Sequence, residues 1–135
     1  MTKKEVTQLS YEITGFAIKV HRALGPGLLE HIYENCLKYE LEKNGYTVAQ
    51  QFVLSVKYDD LSMDLDLRPD LFVNNCVVVE IKAISNVLPV HHAQLQTYMK
   101  LLGAPQGLLI NFFTDNITKS IVPIVNDYFK ILPDE

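Results

Sequence analysis

Three consecutive valines, Val77–Val79, run directly into Glu80-Ile81-Lys82, and this stretch limits the available folds more than any other. An unbroken apolar run reads as a strand buried on both faces, which requires a sheet covered by helices on both sides. Glu80 and Lys82 are two apart on that strand, so both project from one face. Charges at the end of such a run are costly unless they are paired, hydrated or bound to a metal. Asn74-Asn75 leads into the run through Cys76, and Asn tolerates the positive φ of a tight hairpin. Asp70, ten residues before Glu80, is thereby brought back towards it. Two carboxylates and an ammonium then converge, either as a structural ion pair or as a functional centre.

The remaining pattern predicts helix, helix, three strands, helix, one or two strands and a short helix. A first helix is expected from Ser10 to Leu24, with Ile13, Phe16, Ala17, Val20 and Leu24 at helical spacing and Gly25-Pro26-Gly27 breaking it. A second is expected over Leu28–Asn44, with Leu29, Ile32, Tyr33, Cys36 and Leu37 as its buried stripe and Gly45 after its end. Strands follow at Thr47–Tyr58, Leu61–Val73 and Cys76–Ile84, the first two joined through Asp59-Asp60. A helix over Pro89–Leu102 has Pro89 in its first turn and Gly103 beyond its end. Gly107–Phe113 reads as a buried strand, Lys119–Val122 as a further strand stopped by Pro123, and Asn126–Leu132 as a short helix. The fold class is α/β, a central mixed sheet flanked by helices in the order α-α-β-β-β-α-β-β-α.

The 135 residues are 48% hydrophobic and 21% charged, enough for residues 1–135 to form one domain without staples. Cys36 and Cys76 sit among apolar neighbours and read as core thiols. No long apolar region follows Lys3-Lys4, so no signal peptide is expected, and no apolar run is long enough to cross a membrane. A cytoplasmic protein is the expectation. The net charge of −4 speaks against strong non-specific attraction to phosphates. Asp59, Asp60, Asp64, Asp66 and Asp70 lie close together with only Arg68 among them.

Asp70, Glu80 and Lys82 suit phosphodiester hydrolysis, which needs phosphate charge screened and a water activated near neutral pH. Hard carboxylate oxygens suit Mg²⁺, which binds through one or two carboxylates and keeps several waters. A lysine beside it can act on that water or stabilise developing charge. His91, three residues before Gln94, either caps its helix or faces the same cleft. Glu34, His21 and His92 are expected at the surface.

Pro69-Asp70 followed by Glu80-x-Lys82 resembles the signature of the PD-(D/E)XK (restriction-endonuclease-like) nuclease superfamily. Gly27-Leu-Leu-Glu30-His-Ile-Tyr33 is similar to the GxxExxY family placed within it, and the likeness continues through Leu88-Pro-Val-His91, Ala93-Gln94, Tyr98 and Leu109-Ile-Asn111-Phe112. The resemblance implies a metal-dependent nuclease fold. It assigns Asp70 and Glu80 as metal ligands, the Ile81 carbonyl as a third, and Lys82 as the catalytic lysine. Glu30 corresponds to a helix glutamate that binds metal directly or through water, and Gln94 and Tyr98 to a pair bordering the site. Mg²⁺ is the implied cofactor, with Mn²⁺ as a substitute, and nucleic acid of unspecified type is the implied partner. A domain this small offers little recognition surface, which points to a homodimer or a protein partner. The competing expectation is a non-catalytic module that binds nucleic acid or protein and retains the nuclease fold.

Overall fold

The structure, a computed structural model, describes residues 1–135. Helix α1 spans Lys3–Leu24 and starts earlier than its Ser10 boundary predicted. Thr2 is the true N-cap, its hydroxyl accepting from the Glu5 N–H at 3.1 Å, and Val6 extends the buried stripe by a turn. The Lys3 and Lys4 N–H groups donate to the Pro133 and Asp134 carbonyls, which satisfies two of the four open donors of the first turn. Helix α2 spans Glu30–Lys43 and buries Tyr33, Glu34, Leu37 and Leu41.

Five strands form the main sheet in the order β1-β4-β5-β6-β7. They are β1 Val48–Gln50, β4 Leu71–Val73, β5 Val77–Lys82, β6 Gln106–Asn111 and β7 Ile121–Val125. Helix α3, Pro89–Leu102, makes the crossover between the parallel neighbours β5 and β6, while every other pair is antiparallel. The mixed sheet flanked by helices is thus as predicted, but two predicted strands are each broken in half. Gln51 has φ 49°, which ends the first run, so Thr47–Tyr58 divides into β1 and β2 (Ser55–Tyr58). Leu61–Val73 likewise divides into β3 (Leu61–Asp64) and β4, and β2 and β3 pair only with each other.

The end of the chain also departs from expectation. Ile117–Ser120 is a 3₁₀ turn, and β7 continues through Pro123 instead of stopping there. β7 is an edge strand paired only with β6, where a residue lacking an N–H is tolerated. The last helix, α4, is shortened to Asp127–Lys130.

Val77, Val78 and Val79 are all fully buried, as a strand covered on both faces must be. Val77, Val79 and Ile81 join the core under α1 and α2, whereas Val78 joins Phe72, Leu95, Tyr98, Met99 and Leu109 under α3. Strand alternation therefore places Glu80 and Lys82, in phase with Val78, on the α3 side. α3 lies close on the sheet because β6 carries Gly107: a Cβ there would meet Met99 and Leu95 atoms at 2.7–2.9 Å.

Tyr33 stacks on Phe112 with ring centroids 4.4 Å apart. Its hydroxyl donates to the Gly25 carbonyl and accepts from the Leu28 N–H at 3.0 Å. One side chain thereby ties α2 to the residue that follows β6 and to the α1–α2 loop. Tyr33→Phe keeps the stacking but strands both loop groups, and it is expected to cost about 1–2 kcal/mol in urea melts. A loss below measurement error would show that the loop docks without this hydroxyl.

Candidate metal centre

The Asn74-Asn75 turn, with both residues at positive φ, fixes the register of β4 against β5. Leu71 faces Val79, so Asp70 arrives opposite Glu80, one step past the end of the ladder. Side chains complete the pairing there. The Asp70 N–H donates to Glu80 Oε1 at 2.9 Å, and the Ile81 N–H donates to Asp70 Oδ2 at 2.7 Å. Glu80 is 5% exposed. Burial is the largest influence on both carboxyls and raises them, Asp70 to about 7 and Glu80 to about 8. The Asp70 charge raises Glu80 further, and the Glu34 charge raises Asp70, while the Ile81 N–H and the Lys82 charge partly offset these effects on Asp70.

Lys82 leaves the sheet on the same face as Glu80 and is half-buried. It makes no ion pair: the chain's four are Lys3–Asp134, Lys4–Glu135, Lys19–Glu40 and Lys130–Asp127. A structural ion pair was one of the two readings of this cluster. The geometry does not form it.

Glu30 opens α2 and lines an open pocket of about 530 Å³ together with Leu29, His31, Glu34, Gln51, Asp70 and Ala83. Glu34, predicted to be solvated, is instead only 6% exposed. The reason is the β1 edge lying over α2. Gln50 Nε2 donates to Glu34 Oε2 at 2.6 Å, and Gln51 Nε2 donates to its Oε1 and Oε2 at 3.0 and 3.2 Å. Gln51 Nε2 also donates to Asp70 Oδ1 at 2.9 Å. Glu34 is one helical turn from Glu30 and shares its face, but its burial comes from the β1 edge.

The family model of the PD-(D/E)XK nuclease superfamily matches residues 7–123. The chain belongs to that superfamily. Among solved structures it is similar to the crystal structure of SSO0001, with a TM-score of 0.55 and 24% identity. The match covers 94% of this chain and 65% of that one, so this chain spans less than two thirds of SSO0001, and the likeness is one of fold. No curated protein matches the chain. No helix is long and apolar enough to cross a membrane.

Nucleases of the PD-(D/E)XK superfamily generally use divalent metals, so the donor set can be tested against one. No three His, Cys, Asp or Glu side chains converge closely enough to hold a metal ion by themselves. Asp70 and Glu80 do lie together, Glu80 buried and Asp70 half-buried, without a cationic partner within salt-bridge distance. Two hard carboxylates with room for water fit Mg²⁺ or Mn²⁺, which need no all-protein cage. Because Ile81 turns its N–H towards Asp70, its carbonyl faces the same edge, beyond the end of β4.

The other predicted residues lie on α3. Tyr98 is buried on α3, and its hydroxyl is pushed up to about 12, by burial first and then by the Glu80 and Asp70 charges. Gln94 and Tyr98 line a neighbouring pocket of about 390 Å³ with Leu65, Leu67 and Val90. His91 caps α3, its Nδ1 accepting from the Leu88 N–H at 2.9 Å. Burial and then the Lys82 charge hold His91 below its usual value. His92 is half-buried rather than exposed.

His21 is a clearer correction. It is buried against Phe112, and its Nε2 donates to the Thr114 carbonyl at 2.7 Å. Asn111, opposite Lys82 in the β5–β6 register, was read only as part of a family landmark. Its Oδ1 accepts from the Ile84 and Phe113 N–H groups, and its Nδ2 donates to the Ile84 carbonyl at 2.8 Å. It thereby fixes the chain where it leaves Lys82, and an amide inside an apolar strand was the visible signal.

Proposed function

We propose that the chain is a Mg²⁺-dependent phosphodiesterase that hydrolyses nucleic acid, of the GxxExxY type within its superfamily. The observation that carries this reading is the pairing of half-buried Asp70 with buried Glu80 beside an unpaired Lys82. Two acids kept in a cavity that raises their proton affinity are costly to the apo fold, and a bound cation offsets that cost.

Asp70, Glu80 and the Ile81 carbonyl would hold the metal, with Mn²⁺ as a substitute, and Glu30 at the pocket rim would act as an outer ligand. The cation, when bound, screens the phosphate charge and acidifies water. Lys82 contributes its ammonium, a donor that orients the attacking water and stabilises charge developing on the phosphoryl oxygens. Gln94, Tyr98 and His91 would line the approach of the substrate. The net charge of −4 favours a second reading, a binding module that kept the fold and lost turnover.

The test is to incubate purified protein with single- and double-stranded DNA and RNA, in Mg²⁺, Mn²⁺ or EDTA. Cleavage that EDTA and Glu80→Ala both abolish is the expected result. Cleavage that survives in Glu80→Ala would remove the reading, and binding without cleavage in either metal would establish the module.

A further inference from the structure

Gln51 is a single side chain that donates to two carboxylates at once, and its backbone is held in an uncommon conformation to do so. Its φ of 49° lies in the left-handed region, which costs an ordinary L-residue free energy and marks sites where structure serves function. Its N–H donates to the Asp70 carbonyl at 3.1 Å, and its Nε2 donates to Asp70 Oδ1 at 2.9 Å. Asp70 is therefore gripped through both main chain and side chain. The second amide hydrogen is shared between the two oxygens of Glu34. Only the amino end of the amide can sit between two carboxylates, since its oxygen would be repelled by both.

Asp70 Oδ1 is then held by Gln51 and Oδ2 by the Ile81 N–H. Each oxygen accepts one hydrogen bond and keeps a lone pair, and the carboxylate plane is fixed. The donor is neutral, so it steadies Asp70 without competing for it as an arginine or lysine would. Glu34 anchors the far side of the amide and is itself held by Gln50.

We propose that Gln51 is a positioning residue of the metal centre, a neutral strut that aims the Asp70 carboxylate at the cation and braces it against Glu34 on α2. This rests on the reading of Asp70 as a metal ligand. Partners of this kind, one step behind a ligand, typically change metal affinity by about 10–100-fold when removed.

The decisive variant is Gln51→Gly, which adopts the same positive φ without strain and removes the side chain together with its amide. Gln51→Leu preserves the bulk and serves as a second variant. Each is titrated with Mn²⁺ by calorimetry, its melting curve is recorded in EDTA, and hydrogen exchange is followed at the Ile81 amide. Gln51→Gly is expected to bind Mn²⁺ about tenfold more weakly or worse, to melt within a few degrees of wild type, and to exchange the Ile81 amide faster. Wild-type affinity and unchanged Ile81 exchange in Gln51→Gly would overturn the proposal while leaving the metal centre standing. If wild type itself bound no Mn²⁺, the metal-centre reading would fall and the strut with it.

Discussion

Lys82→Met is expected to reduce Mg²⁺-dependent cleavage by at least about 10²–10³-fold, the scale for removing one preorganised donor from a transition state. Mn²⁺ affinity should stay the same or tighten. A protonated ammonium has no lone pair and cannot be a ligand, and its positive charge opposes a cation nearby. Structural damage should be small, because Asp70 and Glu80 are oriented by backbone N–H groups and Gln51 rather than by Lys82. Methionine retains the apolar stem that packs at the strand end. Single-turnover cleavage, Mn²⁺ titration and a thermal melt on the same preparation separate these effects. Loss of metal binding together with loss of the fold would make Lys82 a structural cation instead.

The centre of this site was legible because local rules fix it. A tight turn at Asn74-Asn75, with Cys76 as a third loop residue, sets the β4–β5 register, an apolar run names the buried strand, and alternation by two assigns Glu80 and Lys82 to one face. Helix α3 matched its predicted limits of Pro89 and Leu102, since Pro89 and the left-handed Gly103 punctuate it directly. Glu34 and Gln51 were missed because their roles arise between elements. Nothing local shows that the β1 edge will cross α2, or that a glutamine will leave the extended region to bridge two acids. His21 escaped for the same reason, its partner Thr114 being 93 residues away. The broken strands share this cause. Apolar alternation continues through both halves, and only the Gln51 backbone reveals where the sheet ends and the separate β2–β3 hairpin begins.

Glu80→Gln is expected to stabilise the metal-free protein at pH 8 by about 0.5–2 kcal/mol, the usual gain from relieving a strained functional site. Glu80 and Asp70 carry folded-state values raised from 4.5 and 3.8 to about 8 and 7. An acid raised on folding adds stability that is complete below its unfolded value and is lost as pH climbs through its folded one. Apo wild type should therefore lose stability between pH about 4 and about 8, and Glu80→Gln should show a shallower fall. The glutamine oxygen can still accept from the Asp70 N–H that Glu80 Oε1 now holds. Asp70→Asn should gain less or lose, because both Asp70 oxygens face donors and an amide can accept at only one end. Mg²⁺ at a hundred times its Kd should add about 2.7 kcal/mol to wild type and much less to Glu80→Gln. A structural ion pair predicts the reverse, a loss of about 3–5 kcal/mol on neutralising Glu80. Melts of wild type, Glu80→Gln and Asp70→Asn from pH 4 to 9, in EDTA and in Mg²⁺, decide between the two. A destabilised Glu80→Gln with no Mg²⁺ effect on wild type would exclude a cation site at these carboxylates.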